Sequence, residues 1–250
     1  MFYSRSLLPV SLMLVTLTAR LNAATDERLL AISPADLQAE IRRTPLTSTM
    51  QNVLLVRAYS SGLFQVAYTE YSRLCKANPS SAQANYLLAS IAMEYHIVGW
   101  QRNLFGANLK LRDQLLQVAR DRSKKALELN PKSASANSLR GYILWQIDHE
   151  FDDGMALLRK AVSLDAKSSA AHFWLGMVYC NPSGKHYDAK KGEAELRTAI
   201  QLDPNYVPPH YVLQLHYQYL KRYDDAKTER ETWMNLVPKG VDADKTVHVY

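Results

Sequence analysis

The stretch SAAHFWLGMVYCNPSGKHYDAKKGEAELRTAIQLDP, residues 169–204, decides the fold. Its first twelve residues form an apolar, helix-length run ending at Cys180. Asn181 to Asp188 collects proline, glycine and asparagine, which break helices. A second helical pattern then runs to Asp203-Pro204, where proline disfavours the α conformation of the residue before it. Within that second pattern Gly192 lies twelve residues before Pro204, Leu196 four after the glycine, and Ala199 five before the proline.

The same offsets recur along the chain. Proline positions at Pro79, Pro131, Ala166, Pro204 and Pro238 are preceded by small residues at Ala67, Ala119, Gly154, Gly192 and Ala226. Successive proline positions are 52, 35, 38 and 34 residues apart, each a unit of 34 with an insertion of 18, 1, 4 or none. Such a unit holds two helices and two turns, and small residues one turn from large ones let neighbouring helices interlock. Proline after a helix end also starts the next helix well, because its missing N–H is not needed there.

Leu175-Gly176-x-x-Tyr179, followed by small-x-x-x-large and proline, resembles the tetratricopeptide repeat family; Gly141, Gln214 and Tyr217 fall on the same pattern. Ser123, Arg230 and Ala166 depart from it. The resemblance implies an all-α, right-handed superhelical solenoid of about five helix pairs with a leading helix. The units are expected at 48–81, 82–133, 134–168, 169–206 and 207–238, after a leading segment at 24–47 and before a tail at 239–250. Helices are expected at 48–60 and 63–76, 82–98 and 108–129, 134–148 and 151–164, 169–180 and 189–202, and 207–220 and 223–236. Ser33-Pro34-Ala35-Asp36 opens the leading helix: serine caps it, proline takes its first position, and the acid meets the positive helix end.

At the amino terminus Leu7 to Ala19 is uncharged for 13 residues, the length of a signal-peptide core and too short to cross a bilayer. Residues 1–23 are expected to be a signal peptide cleaved after Ala23, with Arg20 leaving an uncleaved anchor as the alternative. Export to the periplasm of a Gram-negative cell, or otherwise secretion, follows. Without residues 1–23 the formal charge falls from +6 to +4, with 28 basic against 24 acidic residues, which is ordinary solvation rather than a nucleic-acid patch. Cys75 and Cys180 belong to the first and fourth units and are expected to be free, buried hydrophobes.

Catalytic, metal and cofactor signatures are not found. Ser183-Gly184-Lys185 lacks the glycine a phosphate-binding loop needs five residues before the lysine. His210 and His216 are six apart, which is not the spacing of a helical zinc pair. His172 falls on a core-facing repeat position, and Asp152-Asp153 and Asp224-Asp225 begin second helices, where carboxylates suit the helix dipole. The chain is therefore expected not to be an enzyme.

By the resemblance, the first helix of each pair lines the concave face. That assigns Asn52, Val56, Tyr59, Tyr86, Ser90, Met93, Ser138, Tyr142, Trp145, Phe173, Met177, Tyr211, Leu215 and Gln218 to a groove. It carries one asparagine and no lysine or arginine, unlike the clamp with which the chaperone-binding subgroup holds a terminal carboxylate. Its aromatics and methionines suit an apolar or extended peptide. The insertion around 97–112, with Trp100, Arg102 and Phe105, is expected to cover one end of the groove. The function expected is a scaffold for a protein or peptide partner, with a ligand-binding accessory protein of a transport or envelope-assembly system as the alternative. Nucleic acid is not expected as a partner, and the aromatic and cationic insertion is the one candidate for contact with a membrane surface.

Overall fold

The computed structural model describes residues 32–48, 50–101 and 109–236. The proposed signal peptide and the tail at 239–250 lie outside the described residues. Among those described there are eleven α-helices and no strand. The all-α expectation therefore holds.

The chain divides into two compact units, Met1–Pro131 and Lys132–Tyr250. The first holds α1 (Pro34–Arg43), α2 (Met50–Ser60), α3 (Phe64–Ala77), α4 (Ala82–Gln101) and α5 (Leu109–Leu129). Ser33 caps α1 as expected, its Oγ accepting from the Asp36 amide at 3.1 Å, with Pro34 at the first helical position. In this unit α4 pairs with α5, α3 packs on α4, and α1 lies against α2 and α3. Leu37 and Ile41 of α1 join Leu54, Phe64, Tyr71, Leu87 and Ile91 in its core.

The second unit holds α6 (Ala134–Tyr142), a π-helical segment (Ile143–Asp148), α7 (Phe151–Leu164), α8 (Ser169–Cys180), α9 (Ala189–Leu202), α10 (Val207–Tyr219) and α11 (Tyr223–Leu236). The pairs are α6 with α7, α8 with α9, and α10 with α11. First helices also touch first helices, α6 with α8 and α8 with α10, as α2 touches α4 in the first unit.

Small residues sit where helices cross. A Cβ on Gly154 would lie 2.7 Å from the Trp145 backbone nitrogen and 2.8 Å from the Gly141 carbonyl oxygen, so only glycine fits that crossing.

Each insertion finds a distinct structural outlet. The single extra residue of the third unit is absorbed between Gly141 and Gly154 as the π segment, where one more residue is wound into each turn. The four extra residues of the fourth unit form the turn between α8 and α9. In the second unit α4 runs through Gly99 to Gln101, three residues past its expected end, and α5 begins at Leu109, within one residue of its expected start. Residues 102–108, on which a covering role would rest, lie outside the described residues. Much of 97–112 therefore lengthens two helices, to 20 and 21 residues, against 11 to 14 for the pair before. Helix continuation satisfies backbone groups that a loop would leave to water, and one glycine costs only about 1 kcal/mol.

Candidate interaction surface

Five first helices carry a polar residue at their fourth repeat position: Gln51, Asn85, Asn137, His172 and His210, all buried. Buried polar atoms need partners, and several of these find them on the second helix of the same pair. His172 Nδ1 lies 2.6 Å from Glu195 Oε2, with Nε2 3.0 Å from the Ala166 carbonyl oxygen. His210 Nδ1 lies 2.6 Å from Glu229 Oε2, and Asn85 Oδ1 accepts from Arg122 Nη1 at 3.4 Å. Glu195, Glu229 and Arg122 each stand three residues after the small residue of their unit. The equivalent Glu70 turns to α1 instead, accepting from Arg42 Nη2 at 2.7 Å and Nε at 2.9 Å and from Gln38 at 2.7 Å. Those hydrogen bonds, that of Arg42 foremost, pull its carboxyl down to about 2 against the desolvation of burial. His172 is thus a packed, hydrogen-bonded histidine, as its register predicts.

This polar line was not read from the sequence, although its signal was there: a polar residue at the same offset in all five units. It ties helices together. Cys75 and Cys180 are free and buried, as expected, and burial pushes the Cys180 thiol up to about 12.

Most of the residues assigned to an open groove are instead packed. Met93, Tyr142, Trp145, Phe173, Met177 and Tyr211 are each at most 5% exposed, and Ser90 is buried as well. The rings form a seam along the first helices of the second unit. Tyr142 meets Trp174 at 4.4 Å between centroids, Trp174 meets Phe173 at 5.0 Å, and Phe173 meets Tyr206 edge-on at 5.5 Å. Tyr211 stands edge-on to Trp233 at 6.0 Å, and the Trp233 indole donates to Gln214 Oε1 at 2.6 Å. The reason is that first helices pack on first helices, so large rings at inward positions fill the seam.

Trp145 has a further reason. It lies in the π segment, where the wider turn carries it toward α7. There it meets Phe151 at 6.0 Å and presses its backbone on Gly154.

Asn52, Tyr86 and Leu215 keep partial exposure. Asn52 on α2 and Gln83 on α4 are joined across the two first helices, Gln83 Nε2 donating to Asn52 Oδ1 at 3.2 Å. Tyr86 lies one turn along α4 from Gln83, so the first unit presents a patch that is polar at one end and aromatic at the other. Arg102 and Phe105 lie outside the described residues, as do the side chains of Val56, Tyr59 and Trp100.

The second-helix side of the second unit is charged. Arg222 lies 4.2 Å above the Tyr217 ring, whose hydroxyl donates to Glu193 Oε1 at 2.7 Å and accepts from Arg197 Nη2 at 2.6 Å. Asp152, in the first turn of α7, holds Lys185 at 2.5 Å and His186 at 3.0 Å. These bonds pin the four-residue insertion to the preceding pair.

Paired helices with small residues at the crossings and a 34-residue period define a helical-repeat protein. The chain has the tetratricopeptide-repeat fold. Among solved structures it is similar to TTC0263, a thermophilic tetratricopeptide-repeat protein of Thermus thermophilus, at 21% identity and a TM-score of 0.58, covering 77% of this chain and 93% of that one. It is similar to PilW, a type IV pilus biogenesis factor, at 18% identity and a TM-score of 0.55, covering 80% of this chain and 82% of that one. Human IFIT1, solved as a dimer with m7Gppp-AAAA, matches at 12% identity and a TM-score of 0.53, covering 74% of this chain and 40% of that one. No protein-family model and no curated protein sequence matches the chain.

Proposed function

We propose that this chain is an exported, non-enzymatic scaffold that binds an extended protein segment on the first-helix face of its first unit. The patch of Asn52, Gln83 and Tyr86 carries the reading. It places two side-chain amides able to meet a peptide backbone beside one aromatic ring, a combination that fits an extended chain. The fold is found both in a type IV pilus biogenesis factor and in a protein solved with m7Gppp-AAAA, so the choice of partner rests on the surface. None of the residues assigned to the first-helix face is basic, which favours protein over nucleic acid. The buried Glu70 and Glu229 and the half-buried Glu195 are held by side chains of neighbouring helices, a structural use rather than a catalytic one. Export rests on the 13-residue apolar run.

Co-purification from the exported fraction, with amino-terminal sequencing of the recovered chain, tests both parts. A chain beginning at Ala24 is expected, and one retaining Met1 on a membrane overturns the cleavage. Against the partner so recovered, Tyr86→Ala should weaken binding at least tenfold and move the melting temperature by only a few degrees. Unchanged affinity would remove the patch from the binding surface.

A further inference from the structure

Glu94 lies in the middle of α4 and is 3% exposed, and its Oε2 has no hydrogen-bond partner. Its helix-face neighbours Ser90 and Ile97 are buried too, as is Met93 beside it. Every other described acid of the first unit has a partner. Asp36 meets Ser33, Glu40 meets Arg57 and Arg43, Glu70 meets Arg42 and Arg73, Asp113 meets Arg112, Asp121 meets Gln117, and Glu128 meets Lys125.

Most titratable groups of the helices packed on α4 are engaged elsewhere or face water. Arg57 of α2 holds Glu40. On α3, Tyr71 donates to the Gln51 carbonyl, Arg73 holds Glu70, Tyr68 stands edge-on to Tyr95, Cys75 donates to Asn85, and Lys76 is exposed. On α5, Arg112 holds Asp113, Arg122 reaches Asn85, and Lys110, Lys124 and Lys125 are exposed. The half-buried Arg120 acts on His96, while the Glu94 carboxyl is shifted by burial alone. On α4 itself, Tyr95 donates to Gln65 and His96 contacts the Arg112 carbonyl. Among the described residues, no cation neutralises Glu94.

A carboxylate taken out of water without a cation or donors is costly, and the neutral acid is the form that burial tolerates. We propose that Glu94 makes the first unit a proton-held element: its carboxyl must carry a proton for the packing around α4 to stay closed, so the unit loosens as pH rises. Burial alone pushes the group well above the ordinary carboxylate range, in the direction this requires. In the unfolded chain the carboxyl gives up its proton near the usual 4.5, whereas in the folded unit it keeps it. Between those two points the native state binds more protons than the unfolded state, so stability falls as pH rises. The device is independent of any partner.

Hydrogen exchange of the full chain from pH 7 to 8.5, above the range in which the half-buried His96 on the same helix takes up a proton, tests this after correction for the intrinsic pH dependence of exchange. In the wild type the opening constant of α4 amides should rise by up to tenfold per pH unit until the folded carboxyl ionises. In Glu94→Gln it should be flat. Glu94→Leu, which needs no hydrogen-bond partner, should also be flat and keeps the test decisive if the amide is poorly tolerated. Equal slopes in wild type and variants, or no slope in the wild type, overturn the proposal.

Discussion

Trp145 shows how one side chain's surroundings decide its role. Its repeat position assigns it to the inner face, yet it is 3% exposed, edge-on to Phe151, with its backbone against Gly154. A buried aromatic removed from such a place leaves a cavity that the backbone contact at Gly154 cannot close. Truncation of buried aromatics costs about 3–5 kcal/mol. Trp145→Ala should therefore lower stability by that amount, measured by denaturant unfolding. A loss below about 1 kcal/mol would place the ring at the surface. The buried Trp145 Nε1 has no hydrogen-bond partner, so Trp145→Phe should cost much less than the alanine variant.

The turns inside the first, third and fifth helix pairs share one geometry that the repeat offsets expose. Five residues before the small residue of the first, third and fifth units stand Gly62, His149 and Lys221, with φ of 67°, 59° and 60°. Each is a left-handed helix end. At Lys221 the turn closes through the Arg222 amide donating to the Tyr217 carbonyl at 2.8 Å. Only the first unit uses glycine there, and a side chain in this region costs about 1 kcal/mol. Lys221→Gly should therefore raise stability by about 1 kcal/mol, seen as an upward shift of a few degrees in melting temperature; a downward shift would refute the strain. The helix pairs themselves were legible because their pattern is packing chemistry repeated five times, and all five pairs start and end within about three residues of the expected bounds. The one-residue insertion was legible as a count, but nothing local marks Ile143–Asp148 as π-helical. The burial of Phe173, Met177 and Tyr211 was not legible for a different reason. Residue type cannot distinguish an aromatic that lines a face from one that fills the seam between two first helices, and the spacing is the same for both.

At the scale of the whole molecule, each compact unit carries a histidine whose pKa burial lowers, His96 on α4 and His216 on α10, and the first unit adds a carboxylate clasp. In the first unit Glu70, held at about 2 by Arg42, Gln38 and Arg73, contributes stability that is complete above the ordinary 4.5 and lost only as pH falls toward 2. In the second unit His216 is 3% exposed, and burial, outweighing the nearby Glu193, lowers its pKa below the ordinary 6.5. The unfolded chain therefore takes up this proton at a higher pH than the folded unit does. Over that interval the unfolded state binds more protons, so stability is complete above 6.5 and falls as pH falls toward the lower folded value. Mild acid thus presses on α10 through His216 before it reaches the carboxylate clasp that ties α1 to α3. Hydrogen exchange between pH 7 and 5 should show opening of α10 increasing by up to tenfold per pH unit in the wild type. His216→Gln should reduce that dependence while leaving the amides of α3 unchanged. If α10 in the variant keeps the wild-type slope, the acid sensitivity of the second unit belongs to other groups, and His216 is only a packed ring.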